Sequence, residues 1–245
     1  MIKTWAVTDT GLVRKENQDT YRIARNGDIC VVCDGMGGTN GGQVASAIAV
    51  ARFEKELRDS LRDDMDIPQL RQAMLSAIAC ANDAIRQEAA RNAEYQHMGT
   101  TLVCAVARSD MAIIGNIGDS RAYHITPEGI FQISRDHSVV ENMVAKGDLT
   151  PLEARTHPNR NLITRALGPD IHAKADTFEL PWHKDEFLLL CSDGLVNTVS
   201  DQEMLFEVLH DGDVNECLDH LLQISLQRGA PDNITAVLLL NEEGR

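Results

Sequence analysis

The chain has 245 residues, 43% of them hydrophobic, and its 37 Asp and Glu against 23 Lys and Arg give a formal net charge of -14. That charge repels phosphate backbones and anionic lipid headgroups at long range, which argues against nucleic-acid and membrane-surface partners and favours divalent cations and basic protein surfaces. The segment from Met1 to Asp9 lacks the apolar core of a signal peptide, and no run reaches the roughly 18 apolar residues of a membrane span. The expectation is one compact, monomeric, cytoplasmic domain over residues 1–245.

In chain order, strand-like runs at Tyr21–Arg25 and Asp28–Val32 flank Asn26-Gly27, a two-residue hairpin signal. From Gln43 to Leu61 the apolar positions Val44, Ile48, Phe53, Leu57 and Leu61 recur at helical spacing. A second helix follows Asp66, which can cap it, with Pro68 in its first turn and Leu70, Met74, Ala77, Ile78, Ala81 and Ile85 on one face. A meander of short strands then runs through Thr101–Ala107, Ala112–Ile117, Arg121–Ile125 and Ile130–Ile133, and its short connections imply antiparallel pairing. Residues 137–165 turn polar and short-helical, with Gly147, Pro151 and Pro158, and read as an insertion near a cleft. A strand at Phe187–Cys191, a helix opened by the capping box of Ser200 and Glu203, a helix from Val214 to Gln227 and a strand at Ile234–Leu240 complete the chain. Strands in runs and helices in pairs fit an α+β layered domain better than a doubly wound parallel sheet.

Six cysteines, at positions 30, 33, 80, 104, 191 and 217, lie mostly in apolar runs, as reduced buried thiols do. Cys30 and Cys33 have C-x-x-C spacing, but strand positions three apart face opposite sides, and no second pair completes a zinc site. Core packing is the better reading.

Aspartates carry the chemistry. Asp34 lies in Val31-Val32-Cys33-Asp34-Gly35-Met36-Gly37-Gly38, Asp119 in Gly118-Asp119-Ser120-Arg121, Asp193 in Cys191-Ser192-Asp193-Gly194-Leu195, and Asp232 in Pro231-Asp232-Asn233-Ile234-Thr235. Each alone reads as an ordinary turn or helix cap. All four flank apolar strands, however, and strand ends converge at the rim of a sheet. Carboxylates that meet there repel unless a cation sits among them, which makes a hard metal ion the natural partner.

The ordered set resembles the metal-dependent PPM (protein phosphatase 2C) family in its compact bacterial form. The likeness also includes Thr8 to Asp19, Gly99-Thr100-Thr101, Ser134-Arg135-Asp136-His137-Ser138 and Ile163 to Gly168. It implies a four-layer α-β-β-α sandwich, two central antiparallel sheets flanked by helix pairs. The implied activity is hydrolysis of phosphoserine and phosphothreonine in proteins by a metal-activated water, opposing a bacterial serine/threonine kinase system. The implied cofactors are two Mn2+ or Mg2+ ions, with a third at a weaker site. Asp34 would bridge the pair, the Gly35 carbonyl would bind one ion, and Asp193 with Asp232 the other. Asp119 would serve the third beneath residues 137–165, the family's flap, with Asp136 either assisting or capping the helix near Ser138. Asp19 would act from the outer shell and Arg14 would grip the substrate phosphate. Arg121 and Arg165 are expected to be structural ion-pair partners, and His137 a structural loop histidine. Met36 stands where eukaryotic members carry a histidine able to act as general acid. A non-catalytic scaffold and a hydrolase of another phosphoester are the weighed alternatives, and the intact aspartate set and the acidic charge stand against them respectively.

Overall fold

The computed structural model describes residues 1–210 and 214–242, with residues 39 and 40 by backbone alone. Its elements in chain order are β1 (Ile2–Asp9), β2 (Asp19–Ala24), β3 (Ile29–Met36), α1 (Gly38–Ser60), α2 (Ile67–Arg91), β4 (Gly99–Thr100), β5 (Leu102–Ala107), β6 (Met111–Ile117), β7 (Arg121–Thr126), β8 (Gly129–Gln132), α3 (Val139–Lys146), α4 (Pro151–Thr156), β9 (Asp176–Pro181), β10 (Phe187–Cys191), α5 (Asp193–Val196), α6 (Asp201–His210), α7 (Val214–Gln227) and β11 (Ile234–Asn241). They form two sheets of order β1-β11-β10-β7-β8 and β2-β3-β5-β6-β9, with β4 paired to β3. Every pairing is antiparallel.

Strand alternation sorts side chains into layers. On β3, Cys30 and Val32 point between the sheets, where they join Val103, Ile114, Leu188, Leu190, Val237 and Trp182. Val31 and Cys33 point the other way, against Phe53, Leu57, Met74 and Ile78 of α1 and α2. On the far side, Tyr123, Leu189 and Leu238 pack against Met204, Val208, Cys217 and Leu221 of α6 and α7. The result is the expected four-layer α-β-β-α sandwich. Central strands such as β5 and β10 are buried on both faces, so they read in the sequence as continuous apolar runs. The C-x-x-C cysteines do face opposite layers, and none of the six cysteines forms a disulfide among the described residues.

Several elements differ from expectation. The β2–β3 hairpin exists, but its connection is four residues, Arg25 to Asp28, and not the two of Asn26-Gly27. Arg25 and Asn26 take positive φ of 50° and 56°, and Gly27, at φ 98°, lies against Ile2 and Thr4, where a Cβ would crowd the Thr4 methyl. Helix α1 starts at Gly38, five residues before Gln43; its first turn carries glycines, so no apolar periodicity marks it in the sequence. Strands β1 and β9, like the two-residue β4, have no counterpart among the sequence-predicted strands. Both β1 and β9 are edge strands, half-buried and mixed in polarity, so neither shows a long apolar run.

Antiparallel order decides where the functional text lands. Strands β1, β3, β6 and β10 run toward one end of the sandwich, and β2, β7 and β11 leave from it. The end of β3, the β6–β7 turn, the residue after β10 and the residues before β11 therefore share one edge.

Leu190 is fully buried between the sheets, two residues before Ser192. Leu190→Ala is expected to cost about 2–5 kcal/mol through lost transfer energy and a residual cavity, read as a lower urea midpoint with an unchanged slope; a loss below about 1 kcal/mol would contradict this packing.

Candidate metal centre

Asp34, Asp119, Asp193, Asp232, Gly35 and Arg14 all line one cleft of about 530 Å3. Asp34 is delivered by β3, Asp119 by the β6–β7 turn, Asp193 by the first residue of α5, and Asp232 by the turn into β11. Asp19 lies beneath the wall and not on it. It opens β2 directly opposite Asp34, and only 8% of it is exposed.

Close backbone approach brings these turns together. A Cβ on Gly35 would stand 2.1 Å from the Gly42 carbonyl oxygen and 2.7 Å from that of Gln18, so this position tolerates nothing larger. Gly35 N–H donates to the Gln18 carbonyl at 3.1 Å. Asn233 then ties the loop between β1 and β2 to the start of β11. Its Nδ2 donates to the carbonyls of Thr10 (2.8 Å) and Glu16 (2.9 Å), and its Oδ1 accepts from Gln18 N–H (2.9 Å). That clamp sets Arg14 beside Asp232, Nη2 to Oδ2 at 2.7 Å. A second network lies below. Ser192 Oγ donates to Asp19 Oδ2 at 2.7 Å while accepting from Thr235 N–H at 3.0 Å. The Thr8 and Thr235 hydroxyls share a 2.8 Å bond, and Asn17 Nδ2 donates to Thr8 Oγ1 at 2.8 Å.

The carboxylates are electrostatically costly. Burial first, and then the charges of Asp19, Asp193, Asp119 and Asp232, push Asp34 well above the usual carboxylate range. Burial, followed by Asp193 and Asp136, raises Asp119 to about 8. Asp19 and Asp193 rise to about 6, again chiefly by burial, against the opposing hydrogen bonds from Ser192 to Asp19 and from Asn197 to Asp193. Such groups are relieved either by protons or by a cation. Two atoms favour the cation: Asp19 Oδ1 and Asp193 Oδ1 are buried and have no hydrogen-bond partner. Each residue's Oδ2 is engaged, by Ser192 and by Asn197 respectively. Among the described residues no three His, Cys, Asp or Glu side chains close into a cage around one point. An open, oxygen-only set fits Mg2+ or Mn2+, which retain several waters, better than zinc.

Other residues take positions of their own. Asp136 neither lines the cleft nor caps a helix; it pairs bidentately with Arg121 at 2.8–3.1 Å. The cap of α3 is Ser138, which accepts from Glu141 N–H at 3.1 Å. Arg165 pairs with Asp176, and His137 is buried and hydrogen-bonded. Met36 is on the cleft wall with no proton to give. Thr101, Gln18 and Asn161 also line the cleft and had no assigned role. Thr101 Oγ1 accepts from Asp34 N–H at 3.0 Å. Its signal was present in Gly99-Thr100-Thr101, but a hydroxyl in an apolar run carries no sign of its partner.

The chain is similar to known proteins over nearly its whole length. The family model described as Protein phosphatase 2C matches residues 13–238. The serine/threonine phosphatase stp of Listeria monocytogenes is 33% identical over 244 residues, covering 97% of this chain and 96% of that one. The crystal structure of the Mycobacterium tuberculosis serine/threonine phosphatase PstP/Ppp superposes with a TM-score of 0.90 at 32% identity, covering 98% of this chain and 99% of that one. A structure of the PstP catalytic domain in complex with two manganese ions superposes with a TM-score of 0.85 at 30% identity, covering 98% and 97%.

Two outcomes follow from the centre itself. Asn233→Ala removes three hydrogen bonds from a residue only 5% exposed, so unfolding free energy is expected to fall by about 2–4 kcal/mol in urea titrations; no measurable loss would dissolve the clamp. The raised carboxyls also set a pH dependence. An acid whose folded pKa is raised contributes stability that is present in full below its unfolded value of about 3.9 and lost as pH rises through the folded one. With Asp19 and Asp193 near 6 and Asp119 near 8, the chelator-treated protein is expected to lose stability between about pH 4 and pH 8. Mn2+ or Mg2+ should restore more at pH 8, and Asp119→Asn should flatten the upper part of the fall. A urea midpoint in EDTA that is level or rises over this range would refute it.

Proposed function

The chain belongs to the protein phosphatase 2C family, the PPM serine/threonine phosphatases, and on that premise we propose that this cleft removes phosphate from phosphoserine and phosphothreonine by metal-dependent hydrolysis. Protein serine/threonine dephosphorylation is the family's activity. The observation that carries the metal dependence is the convergence of Asp34, Asp119, Asp193 and Asp232 on one cleft, with Asp19 below and two buried carboxylate oxygens unpaired.

In this reading Asp34, the Gly35 carbonyl, Asp193 and Asp232 would hold two Mn2+ or Mg2+ ions, and Asp119 would contribute to a third. Such cations supply Lewis-acid chemistry, neutralising phosphoryl charge and acidifying water for in-line attack. The side chains do the positioning. Ser192 holds one oxygen of Asp19 and leaves the other buried beneath the cleft, which suits an outer-shell role toward cation-held water. Arg14 presents a planar fork to two phosphoryl oxygens. Its contact with Asp232 is a surface pair, the arginine side chain being 56% exposed, so exchanging it for a phosphate costs under about 1 kcal/mol. No histidine lines the cleft among the described residues, and the leaving serine or threonine oxygen takes its proton from water.

The substrates are phosphorylated proteins, with a bacterial serine/threonine kinase supplying them. Among the described residues no helix is long and apolar enough to cross a membrane, and a cytoplasmic monomer acting as one catalytic domain fits the acidic, compact chain.

Purified protein is expected to hydrolyse a phosphothreonine peptide with Mn2+ and to stop with EDTA. Asp193→Asn should lower kcat about 10²- to 10³-fold, the scale of losing one group that stabilises transition-state charge. Full activity in that variant would remove Asp193 from the centre. Arg14→Ala should raise KM about 10- to 100-fold, the worth of a charged hydrogen bond.

A further inference from the structure

His137 has no role in the chemistry above, yet three parts of the molecule meet at its side chain. We propose that His137, held in one tautomer by Asp176, is a positioning residue that locks the root of the flap to the turn carrying Asp119, so that the two move as one unit. The proposal rests on the reading that Asp119 serves the cleft.

Both backbone groups of Gly118 are taken by this one residue. His137 N–H donates to the Gly118 carbonyl at 2.8 Å, and Gly118 N–H donates to His137 Nδ1 at 3.2 Å. Nδ1 is therefore without a proton, and Nε2 carries it. Nε2 lies 3.1 Å from Asp176 Oδ2, which accepts. Arg165 Nη1 lies 3.1 Å from Nε2 and 3.0 Å from Asp176 Oδ1; a protonated Nε2 cannot accept from it, so the carboxylate takes both donors. The ring is only 5% exposed, and burial lowers its pKa, in keeping with a neutral imidazole. Such second partners are what fix a histidine tautomer.

The flap begins and ends on the same residue. Thr164 N–H donates to the His137 carbonyl at 2.7 Å, Val139 N–H to the Leu162 carbonyl at 2.8 Å, and Ser138 bridges Ile163. On the other side, Gly118 sits at φ 109° with a would-be Cβ 2.6 Å from Thr101 Cβ. Thr101 Oγ1 bonds Ser120 Oγ at 2.6 Å and accepts from Asp34 N–H. An unbroken chain of contacts thus runs from Asp34 through Thr101, the Asp119 turn and His137 to the flap. A mid-chain acceptor has no substitute here, because the Gly118 N–H it satisfies is buried.

Two amides separate positioning from packing. In His137→Asn an amide oxygen can stand where Nδ1 stands; in His137→Gln the amide reaches the Nε2 position and leaves Gly118 N–H unpaired. The readouts are trypsin cleavage at the exposed flap residues Arg155 and Arg160 and calorimetric titration with Mn2+. His137→Gln is expected to speed flap cleavage about tenfold and weaken the weakest Mn2+ step about tenfold, the usual scale for an outer-shell partner. His137→Asn should stay within about threefold of the parent on both. A folded Gln variant with both readouts unchanged, or Asn and Gln equally impaired, overturns the proposal. Should Gln not fold, Asp176→Ala carries the test. With the Nε2–H acceptor gone and Arg165 Nη1 left as a donor 3.1 Å from that nitrogen, competing with the donation of Gly118 N–H to Nδ1, it should shift the His137 15N signals from the Nε2–H form to a tautomer mixture and speed flap cleavage, and unchanged signals and cleavage would overturn the idea. Neither measurement uses turnover, so a parent protein without phosphatase activity would sink the proposed function while leaving this inference readable.

Discussion

Carboxylates that burial and mutual repulsion would scatter are instead forced together at one edge of a sandwich, and most of the structure can be read as the means of holding them there. Asp34 and Asp19 face each other across adjacent strands, and Asp119, Asp193 and Asp232 arrive from three further turns. Burial dominates every one of the resolved shifts among them. A layout of this kind costs the metal-free fold stability, a cost that a hard cation would relieve.

The opposing stability comes from the layers behind the edge. The inter-sheet core, from Cys30 and Val32 across to Leu188, Leu190 and Trp182, keeps two sheets in fixed relation. Only then can a turn of one sheet reach a carboxylate of the other, as Ser192 after β10 reaches Asp19 at the start of β2. Polar residues finish the alignment: Asn233 pins the β1–β2 loop, and Thr101 ties the end of β3 to the Asp119 turn. These contacts sit on strand ends more than on loops, which suits a centre that must keep several like charges in register.

The flap is held differently. Apart from its root it carries exposed apolar side chains, Leu152 and Leu162, and short capped helices. Its root, by contrast, is a dense set of backbone bonds around His137 and Gly118. The backbone bonds of that root end on Gly118, the neighbour of Asp119 on the cleft wall.

Much of this was legible in the residues alone. Helical periodicity marked α1 and α2, apolar runs marked the central strands, and four acid-bearing turns at strand ends pointed to a metal-holding edge, because strand direction and side-chain alternation follow from local covalent geometry. The edge strands β1 and β9 stayed hidden, since half-buried strands lack a strong pattern. So did the partners of hydroxyls and amides: nothing near Ser192, Thr101, Asn233 or His137 in sequence reveals Asp19, Asp34, the Thr10 carbonyl or Asp176. Hydrogen bonds that join residues scores to hundreds of positions apart are decided only when antiparallel sheets stack and bring distant turns to one edge. Sequence determined which groups carry the charge; tertiary structure decided which of their oxygens are satisfied and which are left without a hydrogen-bond partner.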